Sequence, residues 1–339
     1  MKKYFLLLGF ISFLVNFSNK VNAQYYFYND NYYYSPITYE IGASVGVMNC
    51  MTDLGGKSGI GKKFVKDLNF GNNNLTYGGF FGVTYKQAVG LRVEAAFGKV
   101  SASDEVLKSY ANSNDFASAR YHRNLNFQSS ITEFSALAEI HPLFIFINWD
   151  ESENGPPKFS PYLLGGVGMF SFNPQAKYGN NLIDLQPLST EGEGFAEYPD
   201  RPVYKLKQMN YPWGLGLKYE ASALLSLRAE FVYRILNTDY LDDCSTNYVV
   251  YYNAKNPYDP SKPDIFDRNF GYGSTKAKNA RALANRQAEI DPSTDPLNPM
   301  GNYYDMGVGS KRGSPQQKDS YFSFNLKVSL TLGRDRIRD

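Results

Sequence analysis

Cysteine and histidine are scarce in this chain: Cys50, Cys244, His122 and His141 are the only four in 339 residues. So few cannot build a disulfide framework or a zinc site of familiar spacing. Tryptophan is equally sparse, at 2 residues. An excess of one charge is also missing. Thirty-five basic side chains face 33 acidic ones, for a net charge of +2, so neither nucleic acid nor an acidic polymer is an expected partner. Beyond the first 23 residues, no apolar run approaches the ~20 residues that a helix needs to cross a bilayer. A nucleophile relay is not evident either. His122 lies within "RYHRNL" and His141 precedes Pro142, and neither sits in a recognisable constellation of nucleophile and base. An enzyme is not expected.

What the chain does have begins at its amino terminus. Residues 1–23 read as a secretory signal: Lys2 and Lys3, then "YFLLLGFISFLV", then "VNA" before Gln24. A tyrosine-rich lead, 24–36, follows. The remainder, 37–339, reads as one domain. Its 28 Tyr, 24 Phe and 29 Gly favour sheet over helix.

Eight segments carry strand alternation or strand composition: 38–50, 75–87, 91–103, 131–146, 161–173, 206–221, 225–237 and the closing "DSYFSFNLKVSLTLG" (319–333). The second and third are joined only by "AVG", the sixth and seventh only by "SAL". "INWDESENGPPKFS" makes a moderate turn between the fourth and fifth. The other connections are long, at about 24, 27, 32 and 80 residues. Short turns on one rim and long loops on the other are the pattern of an outer-membrane barrel. Loops of such length are unusual inside a compact soluble domain.

The two faces of these strands differ sharply. One bears Tyr39, Ile41, Val45, Phe81, Val93, Phe134, Trp213, Leu215, Leu227, Phe324, Leu326 and Val328. The other bears Glu40, Lys86, Arg92, Glu94, Glu133, Glu139, Lys218, Glu220, Arg228, Glu230 and Lys327, mixed with Gly, Ser and Thr. A soluble sandwich would show the charges to water. It would leave the signal, the loop lengths and the aromatics near strand ends unexplained. An eight-stranded antiparallel up-and-down transmembrane β-barrel explains all three, with the apolar face toward lipid. At eight strands the interior is filled by side chains, so the charges are expected to pair there as a structural network.

Three loop features stand out. "DYLDDCS" gathers Asp239, Asp242 and Asp243, which would suit calcium but lack the spacing of a known loop motif, so a solvated strand end is expected. The last loop, about 241–318, contains "TKAKNARALANRQAEI", which has the composition of a short helix. Cys50 and Cys244 both fall on the long-loop rim, where a disulfide forms if their Cα atoms come within about 7 Å.

"YEIGASVGVMNCMTDLGG", "LSTEGEG" (188–194) and "TDYLDDCSTNYV" (238–249) resemble PorG-type proteins. Those are small outer-membrane barrels of Bacteroidetes-like bacteria associated with the type IX secretion system. The resemblance runs over about 38–333, and Cys50 and Cys244 depart from the residue types expected there. It implies no enzymatic activity, no cofactor and no small-molecule substrate. It implies outer-membrane lipids as surroundings. As partners it implies the ring built by the system's periplasmic lipoprotein and its companion subunit. On that view Asp150, Glu151 and Glu153, in the turn after the fourth strand, are expected to pair with basic side chains of the ring. A generic adhesion or envelope-stabilising barrel is the alternative.

Overall fold

A computed structural model of the chain describes residues 36–55, 72–109, 111, 115–147, 157–251, 263–292 and 311–333. The expected signal (1–23), nearly all of the lead (24–36) and the acids Asp150, Glu151 and Glu153 lie outside the described residues.

Among the described residues there are ten strands: β1 (Ile37–Met51), β2 (Asn74–Tyr85), β3 (Val89–Ser103), β4 (Asn126–Ile140), β5 (Phe159–Ser171), β6 (Pro174–Tyr178), β7 (Asn181–Asp184), β8 (Lys207–Glu220), β9 (Leu225–Leu236) and β10 (Ser320–Leu332). Eight of them close into a barrel. Each pairs antiparallel with its neighbour in the chain, β5 passes to β8, and β10 returns to β1 with Tyr39 opposite Leu332 and Cys50 opposite Tyr321. Closure leaves none of the eight with a free edge, the condition for sheet in a bilayer. β6 and β7 form a hairpin that continues β4 past the barrel, with Gln128 opposite Gln175.

The alternation of β10 decides its orientation. Phe324, Leu326, Val328 and Leu330 are exposed, whereas Ser323, Asn325, Lys327, Ser329 and Thr331 are buried. The same inversion, apolar outward and polar inward, holds for Ile41 and Val45 against Glu40, and for Leu91 and Val93 against Arg92 and Glu94. A water-facing barrel would reverse it. The exposed apolar wall is therefore the lipid face of a transmembrane barrel. Aromatics edge it at both ends. Tyr39 stacks near Phe81, and Phe159 lies 4.6 Å from Tyr219 toward the short turns; Tyr77 lies 5.7 Å from Phe97 toward the long loops. Phe322, which shares the strand parity of the outward Phe324, is instead covered beside Phe231 and Phe324.

Two strand bounds differ from expectation for local reasons. β4 begins at Asn126: "NFQSS" pairs with β3 up to Ser103, with Phe127 and Ser129 buried and only the polar Asn126, Gln128 and Ser130 on the other face, so no apolar outer row marks it. It ends at Ile140. Pro142 has no N–H to continue a ladder, and Pro142–Phe146 turns instead into a short helix, α2 (α1 being Asp115–Arg123).

The largest apolar core lies outside the membrane. Phe127, Phe172, Leu188, Phe195, Leu241, Tyr251, Phe266 and Leu283 pack together over the long-loop rim. Two helices of the last loop roof it: α3 (Ile265–Phe270) and α4 (Thr275–Ala284). Ser274 caps α4 by accepting from the Ala277 N–H at 3.0 Å. Ala277, Ala280, Leu283 and Ala284 form the buried stripe at helical spacing. Arg281 ties the two helices together through Asp264 and, at 2.7 Å, Asp267. The described parts of the long loops thus form a folded cap.

Candidate functional site: the filled lumen and the loop cap

Strand alternation delivers Glu40, Arg92, Glu94, Glu133, Glu139, Lys218, Glu220, Arg228, Glu230 and Lys327 to the inside of the barrel, and all ten are buried. Nine join in one chain of ion pairs. Glu220 meets Lys218 at 3.4 Å, Lys218 and Arg228 both hold Glu40, and Arg228 reaches Glu139 at 2.9 Å. Arg92 bridges Glu139 at 2.7 Å, Glu230 at 2.5 Å and Glu94 at 3.3 Å. Lys327 then closes on Glu94 at 2.6 Å and Glu230 at 2.8 Å. The tenth, Glu133, belongs to a layer nearer the cap. It accepts from Arg234 at 3.0 Å and from the Tyr321 hydroxyl at 2.9 Å, and Tyr321 accepts from Asn210 at 2.7 Å.

Lys86 is the exception. It occupies the β2–β3 turn at φ 49°, next to Gln87 at φ 59°. The reversal there uses two left-handed residues, which suits tight hairpins. Its side chain is exposed and its ammonium lies 5.6 Å from the Tyr85 ring, so it takes no part in the lumen. Arg234 is the base that the sequence reading passed over, although it continues the inward row Arg228, Glu230, Val232. Phe80 was missed too. Its ring sits inside with Arg92, Arg228 and Lys327 at 5.4, 5.7 and 5.1 Å, an aromatic face toward three cations. Gly42 lies against that ring, where a Cβ would come within 2.7 Å.

The lumen holds one arrangement that invites a catalytic reading. His141 Nδ1 is 3.0 Å from Ser160 Oγ, and its Nε2 is 3.6 Å from Glu139. The order is that of a serine relay. Ser160 is only 4% exposed, however, and Tyr162 stacks on the imidazole at 5.0 Å. Glu139 is already held by Arg92 and Arg228. A carbonyl has no approach to that hydroxyl, and the trio packs the short-turn end of the lumen. His122 sits elsewhere, on α1, with Nδ1 2.8 Å from the Ser118 carbonyl.

The cap has a different electrostatic character. Asp239, Asp242 and Asp243 are not a solvated strand end. They are buried, because the cap folds over the turn that carries them. The Leu54 and Cys244 amides donate to Asp242 at 3.2 and 3.0 Å, and Asp243 accepts from Tyr204 at 2.6 Å and Thr190 at 2.5 Å. Asp319 accepts from the Leu241 amide at 2.9 Å, and Asp53 from the Ser314 amide at 2.5 Å. Glu191 accepts from Ser245 and Thr246 amides at 2.9 and 2.7 Å and pairs with Arg312 at 2.9 Å. Asp104 takes Arg123 at 2.8 Å. Among the described residues, no three His, Cys, Asp or Glu side chains gather around one metal position.

In this cluster the carboxylates outnumber Arg123 and Arg312, and their acidities show it. Burial pushes Asp239 up to about 9, with Asp53 and Asp242 adding repulsion. Burial, then Asp243 and Glu191, raises Glu193 to about 8. Asp243 rises to about 6 by burial, with Arg312 opposing. Asp242 and Asp319 move the same way for the same first reason.

Cys50 and Cys244 do not form a disulfide; both are free thiols. Cys244 points its Sγ at the Arg312 carbonyl, 3.1 Å away, while Cys50 lies 3.8 Å from the Ser101 carbonyl. Each is committed to a different neighbour.

These features define a class: a membrane-spanning eight-stranded β-barrel with an ion-paired interior and a folded cap. No protein-family model matches the chain, and no curated protein matches its sequence. Solved structures that resemble it include Ail of Yersinia pestis, at 9% identity over 87% of this chain and 97% of that one, with a TM-score of 0.32. Neisserial surface protein A matches at 8% identity, 87% and 97% coverage and a TM-score of 0.32. OprG of Pseudomonas aeruginosa matches at 8%, with 87% and 95% coverage and again 0.32.

Proposed function

We propose that this chain is a non-enzymatic component of the bacterial outer membrane, serving type IX protein export as an anchor for periplasmic ring subunits rather than as a conduit. One observation carries the reading. The three segments that resemble PorG-type proteins, far apart in sequence, meet in a single buried cluster of the cap. Leu54 of the first donates to Asp242 of the third, and Thr190 of the second donates to Asp243. The Ser245 and Thr246 amides of the third also donate to Glu191 of the second. Segments that build one site share a reason to be kept together. A lumen crowded with paired charge supports anchoring over conduction.

In this proposal Asp150, Glu151 and Glu153 contribute a contact to the ring lipoprotein, which their acidity suits if the partner surface is basic. The ten inward charges brace the wall. Deleting the gene in the source bacterium should block secretion of type IX cargo, and the ring lipoprotein should co-purify with the tagged protein. Replacing the three acids by Ser should weaken that co-purification most at low salt. Normal secretion in the deletion strain would overturn the role in export and leave an envelope-stabilising or adhesion barrel.

A further inference from the structure

The three short connections between barrel strands are unequal. Residues 86–88 and 221–224 are small or polar apart from Leu224. The third, after β4, opens with α2, "PLFIF", in which none of the five residues is buried. Phe146 is 82% exposed, and Ile145 and Ile147 are 46% and 43% exposed. The start of α2 is held in place. The His141 amide donates to the Ala88 carbonyl at 2.8 Å, which ties the start of α2 to the neighbouring hairpin. Pro142 fixes the first turn of the helix. A tethered helix that shows aromatic and aliphatic side chains needs a cover, since large apolar side chains left in water forgo burial.

The surface next to α2 says what the cover is. Ile140 ends β4 and Phe159 begins β5, and both are exposed on the lipid wall, as is Val89 on β3 beside Ile140. Ile145, Phe146 and Ile147 therefore continue the lipid-facing band beyond the strand ends. We propose that α2 is an interfacial anchor: it lies in the headgroup and upper acyl layer of the leaflet at the short-turn rim, and it draws the β4–β5 side of the barrel deeper than the β2–β3 and β8–β9 turns. Its partner is the phospholipid surface. The apolar side chains take the acyl boundary while the helix backbone stays near the headgroups. This inference rests on the barrel alone and is independent of any role in export.

The test uses the full mature chain refolded into phosphatidylcholine vesicles, with no other protein present. Trp149→Phe and Trp213→Phe remove the native indoles, and Phe146→Trp places one reporter on α2. Heat-dependent gel mobility checks that the variant is folded. The expected result is a blue-shifted emission that aqueous acrylamide barely reaches, and that lipid brominated near the headgroup quenches more than lipid brominated near the acyl end. Ile147→Trp in the same background is the second reporter if Phe146→Trp does not fold, with the same expected behaviour. Red-shifted emission open to acrylamide and insensitive to bromine, at either site in a folded barrel, would overturn the proposal.

Discussion

Lys327→Met puts the ion-paired lumen to a quantitative test. Lys327 is 1% exposed, with Nζ 2.6 Å from Glu94 and 2.8 Å from Glu230. Methionine keeps most of the stem and removes the charge. Glu230 would still hold Arg92 at 2.5 Å and the Tyr162 hydroxyl. Glu94 would keep only the Arg92 Nε contact at 3.3 Å. Breaking a buried pair by removing one partner costs about 3–5 kcal/mol, and the residual Arg92 contact places this case near 3. With a urea slope of about 2 kcal/mol per molar, the unfolding midpoint should fall by roughly 1.5 M. Adding Glu94→Gln removes the stranded charge and should recover a good part of the loss. The adjacent Leu326 makes the opposite demand. It is 66% exposed on the lipid face, where Leu326→Lys should cost about 2–4 kcal/mol if it lies near the bilayer midplane. The assay is urea unfolding in detergent micelles, followed by heat-dependent gel mobility. An unchanged midpoint for Lys327→Met would mean that its ammonium reaches water, and the closed network would be refuted.

The cap should respond to pH in the direction its raised carboxyl pKa values set. Asp239, at about 9, and Glu193, at about 8, are protonated in the folded cap where the unfolded chain has them ionised. Their contribution is fully present below the ordinary carboxylate range and is lost as pH rises toward 8–9. Protection factors of the 238–245 amides, exchange taken relative to the base-catalysed intrinsic rate, should therefore be highest near the acid end and fall toward pH 9, with Asp239→Asn flattening the upper part; protection that grows with pH would contradict this. Mass spectrometry after denaturation and alkylation without reductant should show two modified thiols, Cys50 and Cys244, and a mass lacking both adducts would reveal a disulfide.

The barrel was legible because a lipid face and a filled lumen impose strict alternation. Lys327 between Leu326 and Val328 declares its side without any knowledge of the fold. Alternation misleads where the strand ends: Lys86 has the inward parity of Thr84 but falls in the turn, where left-handed residues reset the direction. Beyond the lipid band it fades, so "NFQSS" and the β6–β7 hairpin went unread. The cap was legible only in pieces. A short helix was expected from "TKAKNARALANRQAEI" and occurs at Thr275–Ala284. The contacts that bury "DYLDDCS" span 188 residues from Leu54 to Asp242 and 78 from Leu241 to Asp319. Local spacing carries no signal at that range.

The lumen is shut by its own side chains. Single-channel recording in planar bilayers tests it most directly, using residues 24–339 inserted from detergent. Arg92, Arg228, Glu139 and Glu230 cross-link the wall around Phe80 and Tyr162, and an eight-stranded interior leaves no room beside them. A filled lumen should give insertion without stable conductance steps. Reproducible ohmic steps that scale with salt concentration would contradict it.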